Sequence, residues 1–183
     1  PLFPHYASAT NGSVIEEAME VIKKWWVIPE LSFVSQFYNE EFYLKGFEEK
    51  GNAHDFKDYD HILFSFHGLP ERHVDKVYKD GLCKDNDCEH GINDENVFCY
   101  KATCYETAIQ LAKRFKLKDE DYTVGFQSRL GRGWIEPFSD EIIVDLVKKG
   151  AKKLLVFSPA FVADCLETII EIGDEYQELF EEH

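Results

Sequence analysis

A chain of 183 residues has the length of one domain and leaves little room for two. Apolar residues make up 44% and aromatic residues 15%, which excludes a disordered chain, and 30% charged is ordinary for a surface in water. A formal charge of -15, with Lys and Arg scattered singly or in pairs, excludes a nucleic-acid partner and suits a cationic ligand or a metal.

The opening residues form a short apolar run that predicts a first strand. Ser13 and Glu16, spaced as a capping box, open a predicted helix over residues 14–26. Residues 31–37 predict a second strand, residues 40–50 a helix, and residues 61–66 a third strand. Residues 80–96, rich in Gly, Asn, Asp and Cys, read as an insertion in the next crossover, and with the cysteines that follow it the Cys-rich stretch spans residues 80–104. A helix over 102–115, a strand over 122–126 and a helix over 140–149, capped by Ser139 and stopped by Gly150, come next. Residues 153–157 give the clearest strand, and a last helix runs from about residue 164 to the end. Brief β-rich runs without alternation are buried parallel strands, and strand followed by helix, repeated, predicts an α/β fold: a three-layer, doubly wound parallel sheet within a single domain over residues 1–183. It is Rossmann-like without the nucleotide fingerprint, because no G-x-G-x-x-G follows a strand and no G-x-x-x-x-G-K occurs.

No apolar run approaches the roughly 18 residues of a membrane helix. Pro1-Leu2-Phe3-Pro4 lacks the order of a secretion signal, and a start on Pro reads as a trimmed one that leaves room for native targeting upstream. Five cysteines, with Cys83, Cys88, Cys99 and Cys104 crowded into one polar segment, do not make a secreted disulfide framework; reduced thiols of a cytoplasmic protein with a candidate metal site are expected.

In open α/β sheets ligands sit beyond the carboxyl ends of the strands. Three segments place chemistry there. His67-Gly68-Leu69-Pro70 presents an imidazole, able to accept a proton or bind a metal, where an apolar strand stops; a plain strand-end hydrogen bond is the other reading. Gln127-Ser128-Arg129 and Trp134, around two glycines, offer a polar pair and an indole face for a flat ring, against a reading of core Trp and solvated arginines. Asp164, Glu167 and Glu171 fall three and four apart, so a helix would line them on one face, as a cation or proton path or as a capping box and acidic first turn.

Phe64-Ser65-Phe66-His67-Gly68-Leu69-Pro70, Gln127-Ser128-Arg129 with Trp134, and Phe161-Val162-Ala163-Asp164-Cys165-Leu166-Glu167, in this order, resemble the ferrochelatase family. Pro4-His5-Tyr6-Ala7-Ser8-Ala9-Thr10-Asn11-Gly12-Ser13 is similar to the family's loop entering the same domain. The resemblance implies a chelatase-like fold and a lyase of haem biosynthesis that inserts Fe(II) into a porphyrin, with protoporphyrin IX expected and coproporphyrin left open. It implies His67 and Glu167 as catalytic and metal-facing residues, with Asp164 and Glu171 completing a metal row. Tyr6, Ser8, Gln127, Ser128 and Trp134 are implied as porphyrin contacts. Cys165 stands where many relatives carry a second His. A first domain upstream of Pro1 is implied to supply the opposite wall of the cleft, so residues 1–183 alone are expected to be inactive. The expected location is the cytoplasm, peripheral to the inner membrane. A cobalt or other tetrapyrrole chelatase, or a non-catalytic metal- or haem-binding module, are the competing readings.

Cys83 and Cys88 have four residues between them, as do Cys99 and Cys104. That gap lies at the edge of structural zinc spacing and also occurs in [2Fe-2S] ligation. Some ferrochelatases carry a [2Fe-2S] cluster, so the four cysteines are candidates for one, with zinc or unligated and oxidised thiols as alternatives; Cys165 belongs to the other site.

Overall fold

The structure is a computed structural model and describes residues 2–183. Three strands, β1 His61–His67, β2 Tyr122–Gln127 and β3 Leu154–Phe157, form one parallel sheet in the order β2-β1-β3. β1 runs from Ile62 opposite Tyr122 to His67 opposite Gln127 on one side, and from His61 opposite Leu154 to Phe64 opposite Phe157 on the other. Its five central residues are buried, which is why it reads as an unbroken apolar run.

The helices are α1 Ser13–Ile22, α2 Glu41–Gly51, the short α3 Glu71–Val74, α4 Tyr100–Phe115, α5 Ser139–Lys148 and α6 Tyr176–Glu182, with π-helical turns at Ser8–Gly12 and Glu167–Glu175. Helix α4 lies in the crossover from β1 to β2, and α5 in the crossover from β2 to β3. Side chains alternate across a strand, so the two faces of β1 can be read off its partners. Phe64 stacks on Phe157, which stacks on Phe115 of α4, whereas the Ser65 hydroxyl meets the Ser139 hydroxyl of α5 at 2.8 Å. With α2 packed on α4 and α5 on α6, this is the expected three-layer sandwich. Gly125 lets α5 sit close on β2, since a Cβ there would come within 2.7 Å of Ser139 Oγ.

The connection from β2 to β3 passes back across β1, so the direction of winding reverses there. The crevice between the carboxyl ends of β1 and β3 is therefore the topological switch point, where ligands of such sheets bind.

Two expected strands do not form. Residues 2–7 carry no strand, and Pro1 lies outside the described residues. Residues 31–37 are tied by isolated bonds instead of a ladder: Phe37 N–H to Pro4 O, Asn11 Nδ2 to Ser35 O, and Gln36 Nε2 to Val97 O. Ser13 is no cap either. The π turn already supplies helical backbone before it, and its hydroxyl donates back to Ala9 O and Thr10 O, while α1 ends at Ile22, short of residue 26. Ser139 is the first residue of α5, with its hydroxyl spent on Ser65. The last helix begins at Glu167, not residue 164, and begins as a π turn. Among the described residues no helix is long and apolar enough to cross a membrane.

Candidate functional site

His67 closes β1 at the switch point and is half-buried. Its Nδ1 lies 2.6 Å from the carbonyl oxygen of Gly68. A carbonyl can only accept, so Nδ1 carries the proton and Nε2 keeps a free lone pair. Gly68 N–H donates to Gln127 O at 2.7 Å, and a Cβ at position 68 would come within 2.8 Å of that same oxygen, so only glycine fits this approach. Ile135 N–H to Leu69 O, Glu71 N–H to Gly133 O and a Pro70–Trp134 bridge then zip the His67 loop onto the loop that follows β2.

Glu167, first residue of the π turn after β3, lines the same pocket of about 220 Å³ as His67, with His5, Leu69, Tyr100 and Phe161 among the other walls. Its carboxyl is held below the usual carboxylate range by its own backbone N–H first, then by Cys165 and by the charge of His67 when that ring is protonated, against an opposing effect of burial. An ionised carboxylate and an imidazole with a free nitrogen thus share one crevice. That pair can accept protons and attract a cation.

The remaining expected site residues are distributed differently. Glu171 accepts from Ser128 N–H at 2.7 Å, from the Ser128 hydroxyl, from Gln127 Nε2 at 3.1 Å and from the Tyr176 hydroxyl at 3.3 Å. Ser128 holds a left-handed backbone, φ 61, in making two of those bonds. Gln127 is buried, and its Oε1 accepts from the Ser65 hydroxyl. Gln127 and Ser128 therefore tether the last helix to the end of β2. Arg129 is paired with Asp140 and Glu141 and stacks on Phe138. Trp134 lies over Gly68, bracing the His67 loop. Asp164 precedes the helix, is exposed and borders a separate apolar groove of about 870 Å³ formed with Phe37, Phe42, Phe47 and Phe161, so it does not extend the row of Glu167 and Glu171. Tyr6 packs edge-on against Phe98, Ser8 is exposed at the start of the first π turn, and neither lines the His67 pocket.

Sequence reasoning passed over His5 and Tyr100, both buried walls of the pocket. The one available signal was a His set among apolar neighbours at Pro4-His5-Tyr6.

In the Cys-rich segment three sulfurs converge: Cys83 to Cys99 at 3.5 Å, Cys88 to Cys99 at 3.7 Å and Cys83 to Cys88 at 3.8 Å, all buried. These are non-bonded distances, so the thiols are free, not oxidised in pairs. Hydrogen bonds from the other two thiols pull the Cys99 thiol down, and Cys83 is pushed up as the donor. The Tyr78 hydroxyl lies 2.9 Å from Cys88 Sγ. Cys104 stands apart from this triad, buried within α4, and burial raises its thiol pKa well above the ordinary value. Three soft sulfur donors within contact of one another fit a thiophilic metal or an iron–sulfur centre.

A doubly wound parallel sheet with an imidazole and a carboxylate lining one pocket at its switch point, and no phosphate loop, defines an α/β domain of the metal-chelatase kind. A sequence profile described as ferrochelatase matches residues 1–183, and the chain belongs to the ferrochelatase family. It is 44% identical over 182 residues to a ferrochelatase of Legionella pneumophila (strain Corby), an alignment covering 99% of this chain and 54% of that protein. It is equally 44% identical to ferrochelatases of Pseudomonas fluorescens (strain Pf0-1) and Pseudomonas syringae pv. syringae (strain B728a), over 100% of this chain and 54% of each. The chain spans about half the length of the curated relatives it matches.

Proposed function

We propose that this chain carries the metal-inserting half of a ferrochelatase active site, in which Fe(II) enters a porphyrin with loss of two pyrrole protons. The observation that carries this reading is the shared pocket of His67 and Glu167 at the switch point, with His67 Nε2 free. Insertion needs a base near the ring centre and a negative group to receive the displaced protons or steer the cation. His67 Nε2 is the base, and Glu167, held ionised chiefly by its own backbone N–H and by Cys165, is the counter-charge that stabilises the imidazolium once the proton is taken up. Glu171 is committed to four donors, so passage of metal or protons through it would exchange those bonds. A cavity of about 220 Å³ is smaller than a pocket for a macrocycle, so the opposing wall belongs to the rest of the protein.

The buried thiols extend the proposal. Cys83, Cys88 and Cys99 would hold a [2Fe-2S] cluster, with the fourth position open to Cys104, five residues on from Cys99, or to the Tyr78 hydroxyl. Such a cluster supplies electron transfer or structural bracing when bound. A cytoplasmic location peripheral to the inner membrane completes the reading.

The test is His67→Ala and Glu167→Gln in the full-length protein, assayed with Fe(II) and free porphyrin by the metalloporphyrin absorbance. Each should cut turnover on the order of 10²-fold, the scale of lost acid–base catalysis, with porphyrin binding retained. Near-normal turnover of His67→Ala refutes the assignment, and porphyrin binding without insertion by the unaltered protein points to a non-catalytic module.

A further inference from the structure

Backbone groups of successive strand residues point alternately to the two flanking strands. Gly68 N–H points to β2, where it donates to Gln127 O, so the carbonyl of His67 points to the β3 side. There the ladder has already ended, with Phe64 opposite Phe157 as its last pair. The His67 carbonyl would be an orphan beside the crevice, and an unpaired buried carbonyl is costly. It is instead taken by the Tyr100 hydroxyl, which donates to it at 2.8 Å from the first residue of α4.

We propose that Tyr100 is a positioning residue for His67, its hydroxyl standing in for the missing β3 partner and fixing the main chain that aims the imidazole into the crevice. The Tyr100 ring is pinned edge-on against His5, so the hydroxyl is delivered by a rigid group. Tyr43 offers a built-in comparison. Its buried hydroxyl donates to Pro159 O, just beyond β3, and has no bond to His67.

The inference rests on the reading of His67 as the base. In the full-length protein Tyr100→Phe keeps the ring and removes the hydrogen bond. The expected result is a fall in kcat for Fe(II) insertion of about tenfold, the fold-change of one lost hydrogen bond felt at the transition state, with the porphyrin KM unchanged. Tyr43→Phe, which loses an equally buried hydroxyl, should lower the melting temperature comparably and leave kcat unchanged. An unaltered kcat in Tyr100→Phe, or an equal fall in both variants, overturns the proposal. A His67→Ala protein that still turns over normally would instead strike the reading of the base itself.

Discussion

Acidification should weaken this domain through His5. The imidazole is 2% exposed and enclosed by the rings of Tyr38, Tyr43, Phe66 and Tyr100. Thr107 spends its hydroxyl proton on Thr103 O, so it accepts from His5 Nε2–H at 2.9 Å, and the buried Nδ1 has no partner among the described residues. Burial pulls the His5 pKa from 6.5 to about 3. An unfolded chain takes up the proton near 6.5 while the folded one stays neutral until about 3, so acid favours the unfolded state throughout that window and adds nothing above it. At about pH 5, roughly 1.5 pK units into the window, the loss is about 2 kcal/mol, a large share of an ordinary domain's stability. Urea unfolding of the full-length protein at about pH 7 and about pH 5, compared with His5→Gln, isolates the effect, because the carboxylates contribute equally to both proteins. The variant should lose less stability on acidification by about 2 kcal/mol. Identical losses in the two proteins would refute the reasoning.

Cys83→Ser should remove iron, inorganic sulfide and visible absorption from anaerobically purified full-length protein, and a colourless, iron-free parent would end the cluster reading. Glu171→Ala strands a donor of the buried Gln127 and the N–H of the half-buried Ser128 and should cost about 2 kcal/mol in urea unfolding; an unchanged midpoint would show that the last helix is not held by this carboxylate. Residues 1–183 alone should unfold cooperatively, since the crossovers are whole and the aromatic stack of Phe56, Phe64, Phe115 and Phe157 lies within them. They should insert no metal, and measurable insertion would show the other half dispensable.

Much of the architecture was legible because β1, β2 and β3 are short apolar runs between helices with clear periodicity, and that pattern has few solutions. The pocket shared by His67 and Glu167 follows the same logic, since His67 closes β1 and Glu167 comes after β3, at the carboxyl ends of the strands. Residues 31–37 have the same composition as a strand, but pairing is a tertiary event, and there the bonds go to Asn11, Pro4 and Val97 instead. The carboxylate row failed at Asp164 because spacing presumes a helix that has already begun, and this one begins three residues later. Cys104 shows the converse limit. Its spacing from Cys99 repeats that of Cys88 from Cys83, yet Cys99 precedes α4 and Cys104 lies inside it, so equal intervals lead to different neighbours. Tyr100 and His5 left almost no trace, since a buried hydroxyl or imidazole is recognised by its partner and not by its place in the chain.

The π turn at Glu167–Glu175 has a consequence for how this region can vary over evolutionary time. A π segment uses more residues per turn than an α-helix, so removing one residue would let it relax to α geometry. Side chains inside the segment would then turn about the axis, because the α step of about 100° is larger than the π step, while those beyond it would keep roughly their phase. Glu171, in the middle of the segment, would turn away from Ser128 and Gln127. Substitutions along the outer face, where Ile169 and Ile170 are exposed, leave that phase untouched. Among homologues, insertions and deletions should therefore be absent between Glu167 and Tyr176 even where residue identity drifts, while the Cys-rich crossover should tolerate changes of length.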